Sequence, residues 1–211
     1  MIDKIGQALT DAFMITDKYL FDDPRAWTTG STAVVAALSF LSSDPRIVVV
    51  ANTGDSRAVI MTATKADPVS TDHKATLERE RKRIIQQGGQ ILSAEDGIRV
   101  YPSGLAITRA LGDVKYKNII EGKPEIMAGE LSNDDEILLL ATDGFWDVFK
   151  NQQAFDWVST WMKSNKESSM DILAHALVEE AINRGSEDNV TVIAVELNSI
   201  KPAQPFMEEI V

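Results

Sequence analysis

Residues 137–148 have the sequence ILLLATDGFWDV, in which an apolar run passes directly into a turn that carries two acids. A run of five apolar residues bounded by turn signals predicts a short strand buried on both faces. Asp143 stands where this strand meets a loop, and rigid strand ends are good places to hold a functional site. Asp147 follows four residues later, so a helical turn would put both carboxylates on one face, where they repel each other unless a cation lies between them.

Two more acids stand where a predicted strand meets a loop. Asp55 lies in the turn-forming stretch 52–56, which follows the β-branched run Ile47–Ala51. Asp188 directly precedes the alternating segment Val190–Leu197, which predicts a final strand. Taken singly, each of these acids is more readily explained as a solvated loop carboxylate.

The composition excludes several classes of function. The chain has 211 residues and a net charge of −11, which argues against a phosphate-backbone binder, so no nucleic-acid partner is expected. It contains no cysteine, which excludes disulfides, thiolate zinc sites and a catalytic cysteine, and its two histidines are too few for a site built on several. No apolar run approaches the roughly 18 residues that span a bilayer, and the start lacks the pattern of a secretory signal. We therefore expect no membrane partner and an intracellular location, cytoplasmic or nuclear.

The hydrophobic pattern predicts one domain over residues 1–200 and a peripheral, proline-containing tail over residues 201–211. The runs Ile47–Ala51 and Ala58–Met61 flank a glycine-containing turn, which predicts a β-hairpin. Helical patterns cover residues 3–21, 74–87, 152–163 and 168–183.

Acids at strand ends suit one kind of phosphate chemistry. Mg²⁺ and Mn²⁺ are hard cations that take carboxylate oxygens as ligands and keep several waters. Two such ions close together can lower the pKa of a bridging water and clamp a phosphoryl group, and no protein nucleophile is then required. With no cysteine and two histidines, this chain suits that route better than any other phosphate chemistry.

Seven short stretches of the chain resemble, in order, the motifs of one enzyme family. They are GSTA at residues 30–33, ANTGDSR at 51–57, DHK at 72–74 with Glu80, Arg83 and the glycines at 88–89, LAITRALGD at 105–113, PE at 124–125, ATDGFWDV at 141–148 and DNVT at 188–191. Each stretch alone is a weak signal, but together they cover roughly residues 28–197. On these motifs the chain resembles the protein phosphatase 2C family, the metal-dependent serine/threonine protein phosphatases.

The resemblance implies roles for several residues. Asp143 and Asp188 match the family's ligands to one ion of a binuclear Mg²⁺ or Mn²⁺ centre. Asp55 matches an acid that helps to hold a third, weaker ion together with Asp143 and Asp147. The residues implied to support these ligands are Gly54, Gly144 and Asn189.

The resemblance also implies a fold and a substrate. The fold is mixed α/β (α+β), a four-layer α-β-β-α sandwich of two mostly antiparallel sheets packed face to face. Helices 3–21 and 74–87 would cover one side, and helices 152–163 and 168–183 the other. The substrate is a phosphorylated protein, whose phosphoserine or phosphothreonine is hydrolysed by metal-activated water.

The chain departs from the family pattern in its N-terminal part. Neither the phosphate-binding arginine nor the Asp-Gly-His-Gly-Gly stretch precedes residue 28, and residues 1–21 resemble the helix that follows that stretch. The resemblance then implies a fold without its first strands, fewer ions than the usual two or three (one or none), and weak or absent catalysis. Unpaired sheet edges would favour a homodimer.

Three hypotheses of function therefore stay open. The first is a protein serine/threonine phosphatase. The second is a catalytically inactive pseudophosphatase, a regulatory or binding module with the same fold. The third, a generic acidic domain whose carboxylates do nothing, fits the ordered motifs less well.

Overall fold

The computed structural model describes residues 1–40, 45–95 and 97–200, so the tail predicted over residues 201–211 lies outside the described residues. The helices are α1 Ile2–Leu20, α2 Glu78–Gln86, α3 Asp143–Trp146, α4 Asn151–Ser164 and α5 Met170–Asn183, with short 3₁₀ turns at Pro24–Trp27 and Val114–Tyr116. The strands are β1 Gly30–Ser31, β2 Ala33–Ser39, β3 Ile47–Thr53, β4 Arg57–Thr62, β5 Ala66–Pro68, β6 Gln90–Ala94, β7 Gly97–Tyr101, β8 Leu111–Gly112, β9 Glu125–Glu130, β10 Asp135–Ala141 and β11 Val192–Glu196. Within the described residues, none of the five helices has the length and apolar character required to cross a bilayer.

Two antiparallel sheets form the centre of the fold. One has the strand order β11-β10-β4-β5, and the other has the order β2-β3-β9. Two short antiparallel pairs, β1 with β8 and β6 with β7, lie outside them. The expectation of a mixed α/β fold with antiparallel sheets is confirmed.

Strand β10 is buried on both faces, as its apolar run predicts. Ile137 and Leu139 pack towards α3, α4 and α5, while Leu138 and Leu140 pack against the other sheet. This alternation follows from the period-two geometry of a strand. The end of β10, where the chain turns into α3, is therefore held from two sides.

The helices pack against different parts of the molecule. Helices α4 and α5 cover the four-stranded sheet, and α1 lies against β3 and β9. Helix α2 buries Ile84 in a separate cluster with Val100, Ala110, Ile119 and Ile120. The buried side of α2 therefore packs on this cluster, rather than on the sheet face that α1 covers.

Helix α2 also starts later than its charge pattern predicts. The prediction put its first residue at 74, whereas the helix begins at Glu78. Lys74 instead forms an antiparallel bridge with Ile107, and Leu77 has an extended backbone conformation. Lys74 is thus paired with a neighbouring segment, and residues 75–77 form the turn that leads into the helix.

The predicted hairpin of β3 and β4 is wrong. Strand β3 pairs with β2 and β9, whereas β4 pairs with β10 and β5. Two apolar runs around a glycine turn are equally compatible with a corner between sheets, and burial of both strands on both faces favours the corner. Gly54, with a φ of 102°, bends the chain there, and Asp55 lies at the junction of the two sheets.

Strands β2 and β11 lie at the outer edges of their sheets in the part of the chain that the structure describes. Ala33 and Val34 of β2 and Ile193 of β11 line one cleft of about 320 Å³. The two edges therefore open on the same side of the molecule.

Candidate metal centre

Asp143 is the first residue of α3 and follows directly on the buried strand β10. Its carboxylate accepts a hydrogen bond from the backbone N–H of Gly144 at 3.0 Å. The backbone N–H of Asp147 donates to the carbonyl oxygen of Asp143 at 2.8 Å, so the segment makes the predicted helical turn. Both acids consequently lie on one side of a short, well-supported helix.

The loop that carries Asp188 packs tightly against this helix. A Cβ atom at Gly144 would lie 2.5 Å from the carbonyl oxygen of Asn189 and 3.3 Å from Cβ of Asp188, so only glycine permits the approach. The Thr142 hydroxyl donates to the Asn189 carbonyl at 3.2 Å and accepts from the Thr191 N–H at 3.0 Å. These contacts bring Asp188 beside Asp143.

Asp55 is 4% exposed, and the corner that carries it is held by hydrogen bonds. The Gly54 carbonyl accepts from the His73 N–H at 2.9 Å and from the Asn52 side chain at 3.1 Å. The Gly54 N–H donates to Nδ1 of His73 at 3.1 Å, which requires that ring nitrogen to be unprotonated. A Cβ atom at Gly54 would lie 2.3 Å from Cγ2 of Thr32, so a larger residue has no room.

Four carboxylates face one another where these segments meet. Burial raises the pKa of Asp143, and the negative charges of Asp55, Asp188 and Asp147 raise it further. The four acids come from three distant stretches of the chain, and we refer to them together as the acidic cluster. Asp147 and Asp188 are exposed, so the cluster opens to solvent.

Lys74 lies at one side of the acidic cluster, where the sequence alone did not predict a role for it. Its Nζ is 3.2 Å from Oδ2 of Asp55 and 3.7 Å from Oδ1 of Asp147. A cation therefore does lie beside the repelling acids, but it belongs to the protein. The motif at residues 72–74 was the one sequence feature that pointed to Lys74. Its contact with Asp55 and Asp147 could not be predicted, because it forms only when distant parts of the chain fold together.

Arg57 joins three of the segments around the cluster. It makes a bidentate ion pair with Asp72, with N···O distances of 2.9 and 2.6 Å, and its guanidinium lies 4.9 Å from the centre of the Trp146 ring. The Trp146 indole N–H donates to the backbone carbonyls of Arg57 and Ala141. The loops before α2 and after β10 are thus tied to the start of β4.

A buried charge network lies behind His73. The Glu80 carboxylate accepts from Arg109 at 2.5 Å, from Arg83 at 2.8 Å and from the Thr108 hydroxyl at 2.8 Å. Thr108 also donates its backbone N–H to the carbonyl of His73 at 2.8 Å. The network fixes the segment that leads into Lys74.

The donor chemistry of the acidic cluster fits a hard divalent ion, since carboxylate oxygens are the ligands that Mg²⁺ and Mn²⁺ prefer. In the arrangement described over residues 1–40, 45–95 and 97–200, no group of three or more Asp, Glu or His side chains is already set to hold such an ion. The Lys74 ammonium stands against two of the four acids. The residues fit the ion chemically, and in this arrangement Lys74 offsets one of the four negative charges.

Comparison with known proteins finds similarity to protein phosphatase 2C in both sequence and structure. A family model described as Protein phosphatase 2C matches residues 2–190. The chain is 41% identical over 194 residues to Protein phosphatase 2C 50 of Oryza sativa subsp. japonica, covering 83% of this chain and 48% of that protein. It is 37% identical over 210 residues to a protein kinase and PP2C-like domain-containing protein of Arabidopsis thaliana, covering 94% of this chain and 30% of that protein. The chain therefore spans less than half the length of either relative.

Solved structures show the same fold. A C. elegans sex determining protein superimposes with a TM-score of 0.79 at 28% identity, covering 90% of this chain and 46% of that one. The serine-threonine phosphatase 2C of Toxoplasma gondii superimposes with a TM-score of 0.75 at 22% identity, covering 91% of this chain and 67% of that one.

Proposed function

This chain belongs to the protein phosphatase 2C family, and we propose that it functions as a metal-dependent protein serine/threonine phosphatase domain. The substrate class is a phosphorylated protein, with phosphoserine or phosphothreonine as the group hydrolysed. Residues 1–200 form this domain, and we propose an intracellular setting for it.

One observation supports the proposal above all others, which is the convergence of the acidic cluster. Burial raises the pKa of Asp143, and acids that are otherwise expected in solvent lie close enough to raise it further. Mutual repulsion of this kind costs stability, and a divalent ion would relieve it. A group of carboxylates in which one pKa is perturbed in this way marks a candidate functional site.

The proposed metal ligands are Asp143 and Asp188 for one Mg²⁺ or Mn²⁺ ion, with Asp55 and Asp147 available to a second. Bound there, the ion would supply a water of lowered pKa and a positive charge for the phosphoryl oxygens. The protein's part is to hold the carboxylates in place, through the Gly144 contact with the 188–191 loop and the corner at Gly54. Gly144, Asn189 and Gly54 are therefore proposed as supporting residues.

The finer architecture is also a proposal. The packing of α1 on one sheet and of α4 and α5 on the other supports a four-layer α-β-β-α sandwich. The open edges of β2 and β11 support a sandwich that lacks its first strands, and a homodimer formed through those edges.

Phosphatase activity is tested with a small aryl phosphate in the presence and absence of Mn²⁺. We expect Mn²⁺-dependent turnover that is abolished in Asp143→Asn, because the variant keeps the hydrogen-bond acceptor but loses the charged ligand. Asp156→Asn, on the exposed side of α4, is the matched control and should keep the wild-type rate. Turnover that does not depend on Mn²⁺, or that survives in Asp143→Asn, would contradict the proposal.

A second function, a binding or regulatory module without turnover, is favoured by one observation. The printed sequence contains no Asp-Gly-His-Gly-Gly stretch, so the family's bridging aspartate and its general-acid histidine have no counterpart in it. Calorimetric titration with Mn²⁺ separates the two functions. A binding module is identified if the wild type binds Mn²⁺ but does not hydrolyse the aryl phosphate, and if Asp143→Asn abolishes the binding.

A further inference from the structure

The acidic cluster is divided into two halves by its contacts with a single lysine. The Lys74 ammonium contacts Asp55 and Asp147, and its side chain is 34% exposed. Among the residues that the structure describes, no lysine or arginine pairs with Asp143 or Asp188, whose carboxylates accept hydrogen bonds from neighbouring backbone N–H groups. One half is therefore partly neutralised by a protein cation, and the other is not.

The backbone of Lys74 is held by hydrogen bonds, whereas ion pairs hold its ammonium. The residue bridges to Ile107, and the preceding carbonyl of His73 accepts a hydrogen bond from the Thr108 N–H. The side chain reaches the acids through a flexible four-carbon stem, and its ammonium is a compact charge that water solvates well. Withdrawal of the ammonium into solvent therefore requires rotation of the side chain and no rearrangement of the fold.

We propose that Lys74 is a tethered cation that competes with a divalent metal ion for the Asp55–Asp147 half of the acidic cluster. The inference rests on the proposed function, since it takes the cluster to be a metal site. An ammonium and a divalent ion need the same oxygens and repel each other, so the two exclude one another. The Asp143–Asp188 half binds an ion first, and an ion enters the other half only as Lys74 leaves it.

The competition is measured by titrating the chain with Mn²⁺, with free Mn²⁺ followed by electron paramagnetic resonance at low and at physiological salt. Lys74→Met keeps an unbranched side chain, one atom shorter than that of lysine, and removes its charge. We expect Lys74→Met either to gain a Mn²⁺ site or to bind its weakest ion about tenfold more tightly, with a smaller gain at higher salt. Lys65→Met, which removes an exposed lysine paired with Asp67, should bind as the wild type does.

Combining Lys74→Met with Asp55→Asn should remove the gain in Mn²⁺ binding. That result would show that the additional Mn²⁺ binds at the Asp55–Asp147 half of the cluster. Lys74→Gln serves as a second neutral variant if Lys74→Met folds poorly by circular dichroism. Equal or weaker Mn²⁺ binding by a folded neutral variant would overturn the competition while leaving the metal site intact. Absence of Mn²⁺ binding in the wild type and in the variants alike would overturn both this inference and the proposed function.

A readout without mutation follows the Lys74 amine directly. Reductive dimethylation, quantified peptide by peptide by mass spectrometry, should modify Lys74 faster as Mg²⁺ is added, because the ion displaces the amine into solvent. Labelling of Lys65 should not change. A Lys74 labelling rate that Mg²⁺ leaves unchanged or lowers would refute the competition, whatever the hydrolytic activity of the chain.

Discussion

Gly144 is the residue whose size matters most for the geometry of the acidic cluster. It follows Asp143, and the space that a side chain would occupy is taken by the backbone of Asn189 and the Cβ atom of Asp188. The obstacle is a carbonyl oxygen rather than a flexible side chain, so it can yield only if the 188–191 loop moves. Asp143 and Asp188 can therefore lie close together only because residue 144 has no side chain.

The first prediction concerns this residue. Gly144→Ala is expected to destabilise the fold by about 2 kcal/mol and to weaken Mn²⁺ binding, because overpacking forces the loop away from α3. Urea unfolding and Mn²⁺ titration measure the two effects. The control is Gly129→Ala on β9, where a Cβ atom meets nothing within 4 Å, and it should change neither quantity. Unaltered Mn²⁺ affinity in a destabilised Gly144→Ala would show that loop placement and metal binding are independent.

At the scale of elements, Glu80 connects α2 to the segment at Thr108 and Arg109. Burial alone would raise the pKa of Glu80, but hydrogen bonds from Arg109 and Arg83 outweigh it and lower the pKa from 4.5 to about 2. A carboxyl with a depressed pKa stabilises the fold above its unfolded pKa. That contribution is lost as the pH falls from about 4.5 towards 2.

Glu80→Gln is therefore expected to lose about 3 kcal/mol of unfolding free energy at pH 7, since it removes the most buried carboxylate partner of Arg83 and Arg109 and leaves them only the more exposed Glu121. The deficit relative to the wild type should shrink as the pH is lowered from 5 to about 2.5, because the wild type then loses its own ionised Glu80. Urea unfolding at a series of pH values measures the difference. Glu78→Gln on the exposed face of α2 should cost almost nothing. A deficit that is constant across this pH range would contradict the role assigned to the charge.

The elements differ in how well the sequence predicts them. The helices predicted over residues 3–21, 152–163 and 168–183 match the structure to within two residues at each end, because amphipathic periodicity is a local property. The hairpin failed because strand pairing depends on partners far away in the chain. Asp143 and Asp147 were predictable from one helical turn, whereas the contact of Lys74 with Asp55 and Asp147 exists only after the two sheets and α3 have assembled.

At the scale of the whole molecule, the open edges of β2 and β11 are the feature most exposed to association. Unpaired N–H and C=O groups on an edge strand are a template for another strand. Val35 on β2 is 40% exposed and Ile193 on β11 is 53% exposed, so both edges carry apolar side chains at the surface. Neither edge carries the lysines or prolines that usually discourage pairing.

Light scattering at micromolar concentration is expected to give the mass of a dimer for the wild-type chain. Val35→Lys combined with Ile193→Lys should give a monomer, because charged side chains on the edges oppose strand addition. Ile172→Lys on α5, at a position of similar exposure (51%), should leave the dimer intact. A stable wild-type monomer under these conditions would rule out association through the edges.

The corner at residues 54–56 has a consequence for changes in chain length. On β4, Val59 and Met61 pack towards the helices, whereas Ala58 and Ile60 pack towards the second sheet. Inserting or deleting a single residue in the corner would shift β4 by one position and exchange those two sets of side chains. Both sets of side chains could keep their present faces only if the corner itself were distorted. The Asp55 carboxylate would then move with the corner. Related chains should therefore tolerate substitutions between Thr53 and Arg57 far better than a change in the number of residues there.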